Sequence, residues 1–190
     1  YNFDAYMAVI YKPENIHVVH TKYLGYDGEY LVDMAKREGG IVAINGGGFM
    51  DQDGVGSGGQ ATGIIIKDGK IIQASSSGSG VIGLTYDNKL YLGYITASEA
   101  INMGIRDAIE FGPFLIVNGK KADIRGNGGY GIHPRSAIGQ RKDGIVLFLV
   151  IDGRRVDSMG ASIRDVMDIM DKYGAYNAAN LDGGNSSVLV

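Results

Sequence analysis

The sequence predicts an α+β fold, in which a strongly twisted, mixed but mostly antiparallel sheet carries a few flanking helices in a single domain over residues 1–190. Short apolar segments of strand length recur along the chain between turn residues such as Asp-Gly. Few segments repeat apolar residues at helical spacing. Hydrophobic residues make up 45% of the chain and the net charge is −3, a composition that favours a buried core over disorder.

Each element follows from its local pattern. Apolar runs bounded by turn residues predict strands at 6–11, 16–21, 41–44, 63–67, 70–73, 81–86, 90–94, 114–117, 136–140, 144–151 and 175–181. Apolar residues three and four apart predict helices at 28–38, 98–103 and 163–173. Ser98 and Ser162 are the expected N-caps of the last two helices, and Asp165 is placed for a capping box with Ser162. The first two strands are expected to pair as a hairpin, and Asp68-Gly69 predicts another.

Bulk composition excludes several classes of protein. With 18 basic and 21 acidic residues, the chain lacks the basic excess of a general nucleic-acid binder. No apolar run reaches the roughly 18 residues of a membrane span. Because the chain starts at Tyr1 without methionine, we expect that a natural N-terminus with an export signal or anchor has been removed. We also expect that a C-terminal strand is truncated where the sequence ends at Val190.

Glycine is the most unusual feature of the composition. The chain has 31 glycines, more than twice the average share of about 7%, and they cluster at 39–63, 126–131 and 183–184. Clustered glycines mark backbone that adopts unusual dihedral angles or that another group approaches closely. They have no period of three, so the chain is not a collagen.

Common catalytic and cofactor motifs are absent or out of context. A GxGxxG match at 54–59 precedes a strand rather than a helix, so it does not indicate dinucleotide binding. The chain has no phosphate-binding P-loop and no GxSxG elbow, and its three histidines lack zinc spacing. The segment 51–54 resembles the start of a calcium loop. We therefore expect no required cofactor and leave open a weakly bound Ca²⁺ or Mg²⁺.

Three predicted strands end in a polar residue followed by glycine, which places those residues at the rim of a sheet, where ligands bind. The residues are Asn45, Asp152 and Asp182. An Asp-Gly pair can also be an ordinary turn, the interpretation we adopt for Asp68 and Asp143. After Asp182, the sequence Gly-Gly-Asn-Ser predicts successive backbone donors that bind an anion.

Five segments then occur in a characteristic order, at 45–51, 111–113, 133–139, 152–154 and 180–187. Together they resemble the phosphodiester glycosidase family, which includes the lysosomal uncovering enzyme and bacterial domains of the exopolysaccharide-biosynthesis type. Two departures stand out. Asn185 replaces a glycine that is usual in the family, and Gly48 and Met50 stand where many members have Phe.

The resemblance implies a hydrolase that cleaves the anomeric C–O bond of a sugar-1-phosphodiester and releases free sugar and a phosphomonoester. It implies Asp182 as nucleophile or base, Asp152 as its partner or a substrate anchor, and Arg135 as a phosphate ligand. Arg154 is expected to keep Asp152 ionised. The residues expected to bind substrate are Asn45, Gly46, Gly47, Asp51, Tyr130, His133, Arg154, Gly183, Gly184, Asn185 and Ser186.

We expect the substrate to be an envelope or exopolysaccharide glycan, and the protein to be exported to the cell envelope or beyond. The alternatives are a non-catalytic glycan- or phosphate-binding module of a bacterial surface protein, and a structural domain whose glycines only turn strands. The sugar, the stereochemical outcome and the oligomeric state stay open at this point.

Overall fold

The computed structural model describes residues 2–50 and 58–190. Its strands are β1 Ala5–Ile10, β2 Ile65–Lys67, β3 Lys70–Gln73, β4 Gly80–Thr85, β5 Leu90–Gly93, β6 Ile105–Phe111, β7 Phe114–Val117, β8 Lys120–Lys121, β9 Arg135–Arg141, β10 Val146–Ile151 and β11 Ala175–Asn180. Its helices are α1 Leu31–Glu38, α2 Ala97–Asn102 and α3 Ile163–Lys172. None of the helices in these two ranges is long and apolar enough to cross a bilayer.

The predicted fold class is confirmed, and the strands divide between two sheets. One sheet has the order β1-β10-β9-β11-β7-β8, and the other has the order β3-β2-β6-β4-β5. Within the described ranges, every strand pairing is antiparallel. The hairpin predicted at Asp68-Gly69 joins β2 to β3, with positive φ at both turn residues.

Strand β10 shows how the layers are held together. Alternate residues of a strand face opposite sides of the sheet. Leu147, Leu149 and Ile151 pack against α3, whereas Val146 and Phe148 pack against the second sheet. Burial on both faces explains the unbroken apolar run in the sequence. Helix α2 covers the outer face of the second sheet, which completes the layer order α3, first sheet, second sheet, α2.

The helix caps decide where two of the helices begin. Ser162 and Asp165 form the predicted capping box of α3. For α2, the prediction of Ser98 as the N-cap is wrong, because Thr96 caps the helix in a capping box with Glu99. The Thr96 hydroxyl accepts from the Glu99 amide, so the cap lies two residues before the predicted one and the helix begins at Ala97.

The second predicted strand, 16–21, is not a strand in the structure, and β1 pairs with β10 instead. Side chains of β6 form hydrogen bonds with backbone groups that would otherwise pair with a neighbouring strand. Arg106 donates to the Ile16 carbonyl at 2.7 Å, and the Asp107 carboxylate accepts from the Val18 amide at 3.0 Å. Residues 11–30, which we call the strap, therefore leave the sheet and lead into α1.

Candidate functional site

The ends of three neighbouring strands bring the predicted site residues to one edge of the first sheet. Arg135 starts β9 opposite Ile151, so Asp152 follows directly beyond that pair. Asp182 lies two residues beyond Asn180, the last residue of β11 on the other side of β9. Because β10 and β11 flank β9, the chains carrying Asp152 and Asp182 are separated by two strand spacings, about 10 Å.

A cleft of about 900 Å³ opens beside Asp182. Its lining includes Asn45, Gly46, Gly47, Asp182 and Ser186, all predicted site residues, and also residues of the strap and of α1. Asp152 instead lines a separate depression of about 410 Å³, together with Pro134 and Ser187. Val188 borders both cavities, so the two aspartates lie in adjacent cavities and not in one.

Asp182 is a half-buried carboxylate that borders the cleft. Burial raises its pKa, because removing a carboxylate from water disfavours the charged form. Hydrogen bonds from the Ser186 hydroxyl and the Gly183 amide, the latter at 3.0 Å, oppose that shift. Asp182 is therefore a partly desolvated carboxylate, which is the state in which a nucleophile or base is most reactive.

Asn45 fixes the backbone around Asp182. Its Nδ2 donates to the Asp182 carbonyl at 2.7 Å, and its Oδ1 accepts from the Ser136 hydroxyl at 2.6 Å and the Val188 amide at 3.1 Å. One side chain thus joins three segments that are far apart in sequence. Most of its hydrogen-bonding capacity is used inside the protein, which leaves one N–H for a substrate or a water.

The glycines after Asn45 lie directly against strand β6. A Cβ on Gly46 would lie 3.1 Å from Ile109 Cδ1, and one on Gly47 would lie 3.3 Å from the Glu110 carbonyl. For Gly48 the nearest atom is Thr62 Oγ1, at 3.0 Å. The glycine cluster predicts that another group comes close to this backbone, and on one side that group is the protein itself. The same three glycines also border the cleft.

Arg135 is a buried cation, with 6% of its surface exposed. Its Nε donates to the Ala161 carbonyl at 3.0 Å, and its Nη2 donates to the carbonyls of Tyr130 and Gly131 at 3.0 and 2.9 Å. Burial lowers the pKa of this guanidinium. Within residues 2–50 and 58–190, no carboxylate forms an ion pair with Arg135. Its Nη1 lies 3.8 Å from the point that a Cβ would occupy if residue 183 carried one.

The predicted pairing of Arg154 with Asp152 is wrong. Arg155 is the partner, with its Nη1 2.7 Å from Asp152 Oδ2. Arg154 has a positive φ of 60°, which turns its side chain toward the loop after Asp182. There its Nη1 donates to Asn185 Oδ1 at 2.5 Å, and its Nη2 lies 3.3 Å from the Cβ position of Gly184. Throughout the described part of the chain, Arg154 forms no ion pair with a carboxylate.

The predicted anion nest of backbone amides is not free to bind an anion. The Gly183 amide donates to Asp182 Oδ1, and the Gly184 amide donates to the Pro134 carbonyl at 2.9 Å. The Ser186 amide donates to the Gly183 carbonyl within a short 3₁₀ turn, Gly184–Ser186. The loop's own hydrogen bonds take these donors, so the two arginines are the strongest anion-binding groups around it.

The other predicted residues lie around this loop or outside the described ranges. Tyr130 is 59% exposed, and its carbonyl is held by Arg135. His133 pairs through its backbone with Ala161, and its Nδ1 is buried without a partner in the described structure. Neither side chain borders the 900 Å³ cleft. Asp51 and the segment 51–54 lie outside the described residues.

Sequence reasoning missed Glu110, which borders the cleft and is 2% exposed. Burial acts to raise its pKa, but hydrogen bonds from Ser76, Ile64 and Ser77 outweigh that effect and lower it. These bonds, at 2.8 to 3.0 Å, tie the segment before β4 to the segment before β2. The sequence does carry a signal for this residue, because Glu110 is an acidic residue between the apolar residues Ile109 and Phe111.

Similarity to known proteins agrees with this geometry. A model of the phosphodiester glycosidase family matches residues 38–190. The chain is 32% identical over 175 residues to the SPbeta prophage-derived protein YomE of Bacillus subtilis, covering 84% of this chain and 25% of that protein. It is 25% identical over 178 residues to the N-acetylglucosamine-1-phosphodiester alpha-N-acetylglucosaminidase of Bos taurus, covering 83% of this chain and 32% of that enzyme.

The fold is shared with a solved structure as well. The catalytic domain of the zebrafish N-acetylglucosamine-1-phosphodiester alpha-N-acetylglucosaminidase superposes with a TM-score of 0.72 at 23% identity, over 99% of this chain and 72% of that one. At that identity the likeness concerns the fold. The chain spans a quarter to a third of the length of the two curated relatives.

The three hydrogen bonds of Asn45 predict a measurable effect on stability. Asn45→Ala leaves partly buried donors and acceptors unpaired and should lower the free energy of unfolding by about 1–3 kcal/mol. Urea denaturation measures it. Asn127→Ala, which removes an exposed local hydrogen bond, should stay within about 0.5 kcal/mol of the parent protein. Equal effects of the two variants would show that Asn45 does not fix this site.

Proposed function

The chain belongs to the phosphodiester glycosidase family, and we propose on that basis that it hydrolyses a sugar-1-phosphodiester. In the proposed reaction, the bond between the anomeric carbon and the phosphate oxygen breaks, and its electron pair stays on that oxygen. Water supplies the hydroxyl of the free sugar, and the phosphate leaves as a phosphomonoester. The substrate we propose is an envelope or exopolysaccharide glycan, and such polymers place the protein outside the cytoplasm.

One observation carries this proposal. Two arginines that lack carboxylate partners among the described residues lie next to the loop that follows Asp182. Arg135 is beside Gly183 and Arg154 is beside Gly184. A buried guanidinium without a counter-charge is costly, and an anionic group bound nearby relieves that cost. The arrangement suits a carboxylate facing an anomeric carbon whose leaving group is a phosphate.

We assign the proposed roles to the groups around that loop. Asp182 faces the anomeric carbon as nucleophile or base, since it is a half-buried carboxylate that borders the cleft and directly precedes that loop. Arg154 and the Nη1 of Arg135 stabilise the negative charge that develops on the departing phosphate. A phosphomonoester leaves readily, so the reaction does not need a strong general acid. Asp152, in the adjacent depression and paired with Arg155, is a substrate anchor in this account.

The proposal predicts that Asp182→Asn abolishes the release of free sugar. The amide keeps the shape of the side chain but has neither the negative charge nor the basicity of the carboxylate. The measurement is free sugar released from a synthetic N-acetylglucosamine 1-(methyl phosphate) diester. Asp143→Asn, at an exposed turn where the carboxylate pairs with Arg141, is the matched control and should keep full activity. Substrate binding without turnover in the parent protein would instead identify a binding module.

The raised pKa of Asp182 predicts the acid limb of the pH profile. If Asp182 must be ionised, activity falls as pH drops through a pKa above the ordinary aspartate value of about 3.9. Removing a hydrogen bond that lowers this pKa should move the limb further up, so Ser186→Ala should lose activity at a higher pH than the parent. The measurement is kcat/KM against pH.

The neighbouring serine provides the control for this experiment. Ser187 Oγ has no hydrogen-bond partner within the described residues, so Ser187→Ala should leave the acid limb in place. The pKa of Asp182 is higher in the folded protein than in the unfolded chain, so folding disfavours the ionised form. The contribution of Asp182 to the free energy of unfolding should therefore fall as pH rises through the range between these two pKa values. A Ser186→Ala profile identical to the parent profile would contradict Asp182 as the ionising group.

A further inference from the structure

A histidine and two aspartates from distant parts of the chain meet beside strand β6. His17 lies in the strap, Asp68 in the turn between β2 and β3, and Asp107 in β6. His17 Nδ1 lies 3.4 Å from Asp68 Oδ1 and 3.6 Å from Asp107 Oδ2, and the three atoms lie within 4.8 Å of one another. None of the three side chains borders the 900 Å³ cleft or the 410 Å³ depression. The cluster is therefore separate from the proposed active site.

The separations in this cluster suit metal coordination better than hydrogen bonding. A hydrogen bond from nitrogen to oxygen usually spans about 2.7–3.2 Å, which is shorter than either contact of His17. Zn²⁺ binds imidazole nitrogen at about 2.0–2.1 Å and carboxylate oxygen at about 2.0–2.2 Å, so two ligands of a tetrahedral ion lie about 3.3–3.5 Å apart. The observed 3.4 and 3.6 Å are close to that separation.

Hydrogen bonds to β6 hold the strap on both sides of His17. Arg106 donates to the Ile16 carbonyl at 2.7 Å, and the Val18 amide donates to Asp107 Oδ1 at 3.0 Å. The backbone that carries the histidine is thus fixed before any ion binds. A preorganised ligand loses less entropy on binding.

The turn that carries Asp68 is fixed to the same strand. The Gly69 amide donates to the Arg106 carbonyl at 2.7 Å. The Asp68 side chain is 59% exposed, and its only ion pair among the described residues is with His17. Its carboxylate can therefore adjust to an ion without breaking another ion pair.

The charges of the cluster leave room for a cation. Arg106 Nη1 pairs with Asp107 Oδ2 and balances that buried carboxylate, whereas no lysine or arginine in the described part of the chain pairs with Asp68. Beside a neutral imidazole, one negative charge is uncompensated. The hydrogen bonds that Asp107 already accepts are of the kind that orient carboxylate ligands in metal sites.

We propose that His17, Asp68 and Asp107 bind one Zn²⁺ ion, which fastens the strap to the second sheet. Three protein ligands leave the fourth tetrahedral position for a water. An imidazole ligand favours Zn²⁺ over Ca²⁺ and Mg²⁺, which prefer oxygen ligands. Val18 borders the cleft, so the ion also fixes part of the cleft lining. The proposal does not depend on the hydrolysis of any substrate.

The test is a calorimetric titration of the protein, without an affinity tag, with Zn²⁺. We expect saturable binding of one ion per chain, at a lower Kd than for Ca²⁺ or Mg²⁺. His17→Ala and Asp68→Asn each remove one ligand and should weaken Zn²⁺ binding about tenfold or more. Both side chains are about half exposed, so both variants should fold.

Two substitutions are matched controls. His20 Nδ1 lies 2.8 Å from the Thr21 carbonyl, in the same strap but outside the cluster. Asp143 lies at another Asp-Gly turn and pairs with Arg141. His20→Ala and Asp143→Asn should therefore bind Zn²⁺ like the parent protein.

Two further measurements locate the ion and its effect. X-ray absorption of the Zn²⁺ complex should show one imidazole among nitrogen and oxygen ligands at about 2.0–2.2 Å. Zn²⁺ at about 100 times its Kd for the parent protein should raise the parent Tm by about 5–10 °C. At the same Zn²⁺ concentration, the Tm of His17→Ala should rise about half as much or less.

Four results would each overturn the proposal. They are no saturable Zn²⁺ binding, weak binding at several sites only, a loss in His20→Ala as large as that in His17→Ala, and tighter binding of Ca²⁺ than of Zn²⁺. With the first result, the cluster would be an ion pair between a protonated His17 and its two carboxylates.

Discussion

The buried guanidinium of Arg135 is the constraint on which the rest of the site depends. Placing a charge inside a protein costs several kcal/mol, and here three main-chain carbonyls partly offset that cost. Those carbonyls belong to two separate loops, so one side chain determines where both loops lie. No carboxylate of the described structure neutralises the charge, which therefore acts on the glycine loop after Asp182. In our proposal this local cation binds the phosphate, although the chain as a whole is acidic.

A neutral hydrogen-bond network holds Asp182 in place. Asn45 anchors its carbonyl, and the Gly46 carbonyl accepts from its amide at 3.0 Å, so the carboxylate projects from a fixed backbone. Glycines that lie against β6 let the Asn45 segment come close enough to do this. Groups fixed before the substrate arrives need little reorganisation during reaction, which is the main source of electrostatic catalysis. This rigid part of the site lies within residues 38–190, which the family model matches.

The sequence allowed the parts of the fold that depend on local pattern to be predicted, including the hairpin at Asp68-Gly69 and the capping box of α3. It did not reveal long-range competition for backbone groups. Residues 16–21 of the strap are predicted to form a strand, but the side chains of Arg106 and Asp107, about ninety positions further along the chain, hydrogen-bond to its backbone. Strand β6 escaped prediction because those same charged residues interrupt its apolar pattern.

The site shows the same division between local and long-range information. Motif order was enough to place Asp182 and Asn45 at one cleft. It could not distinguish Arg154 from Arg155 as the partner of Asp152, because the choice depends on a positive φ at Arg154.

The most direct test of the anion site is a crystal structure of Asp182→Asn with the methyl phosphodiester of N-acetylglucosamine. We predict phosphate oxygens in hydrogen-bond contact with Arg154 and Arg135 Nη1, and the anomeric carbon beside residue 182. A phosphate in the Asp152 depression or beside Lys22, with neither arginine in contact with it, would contradict the account.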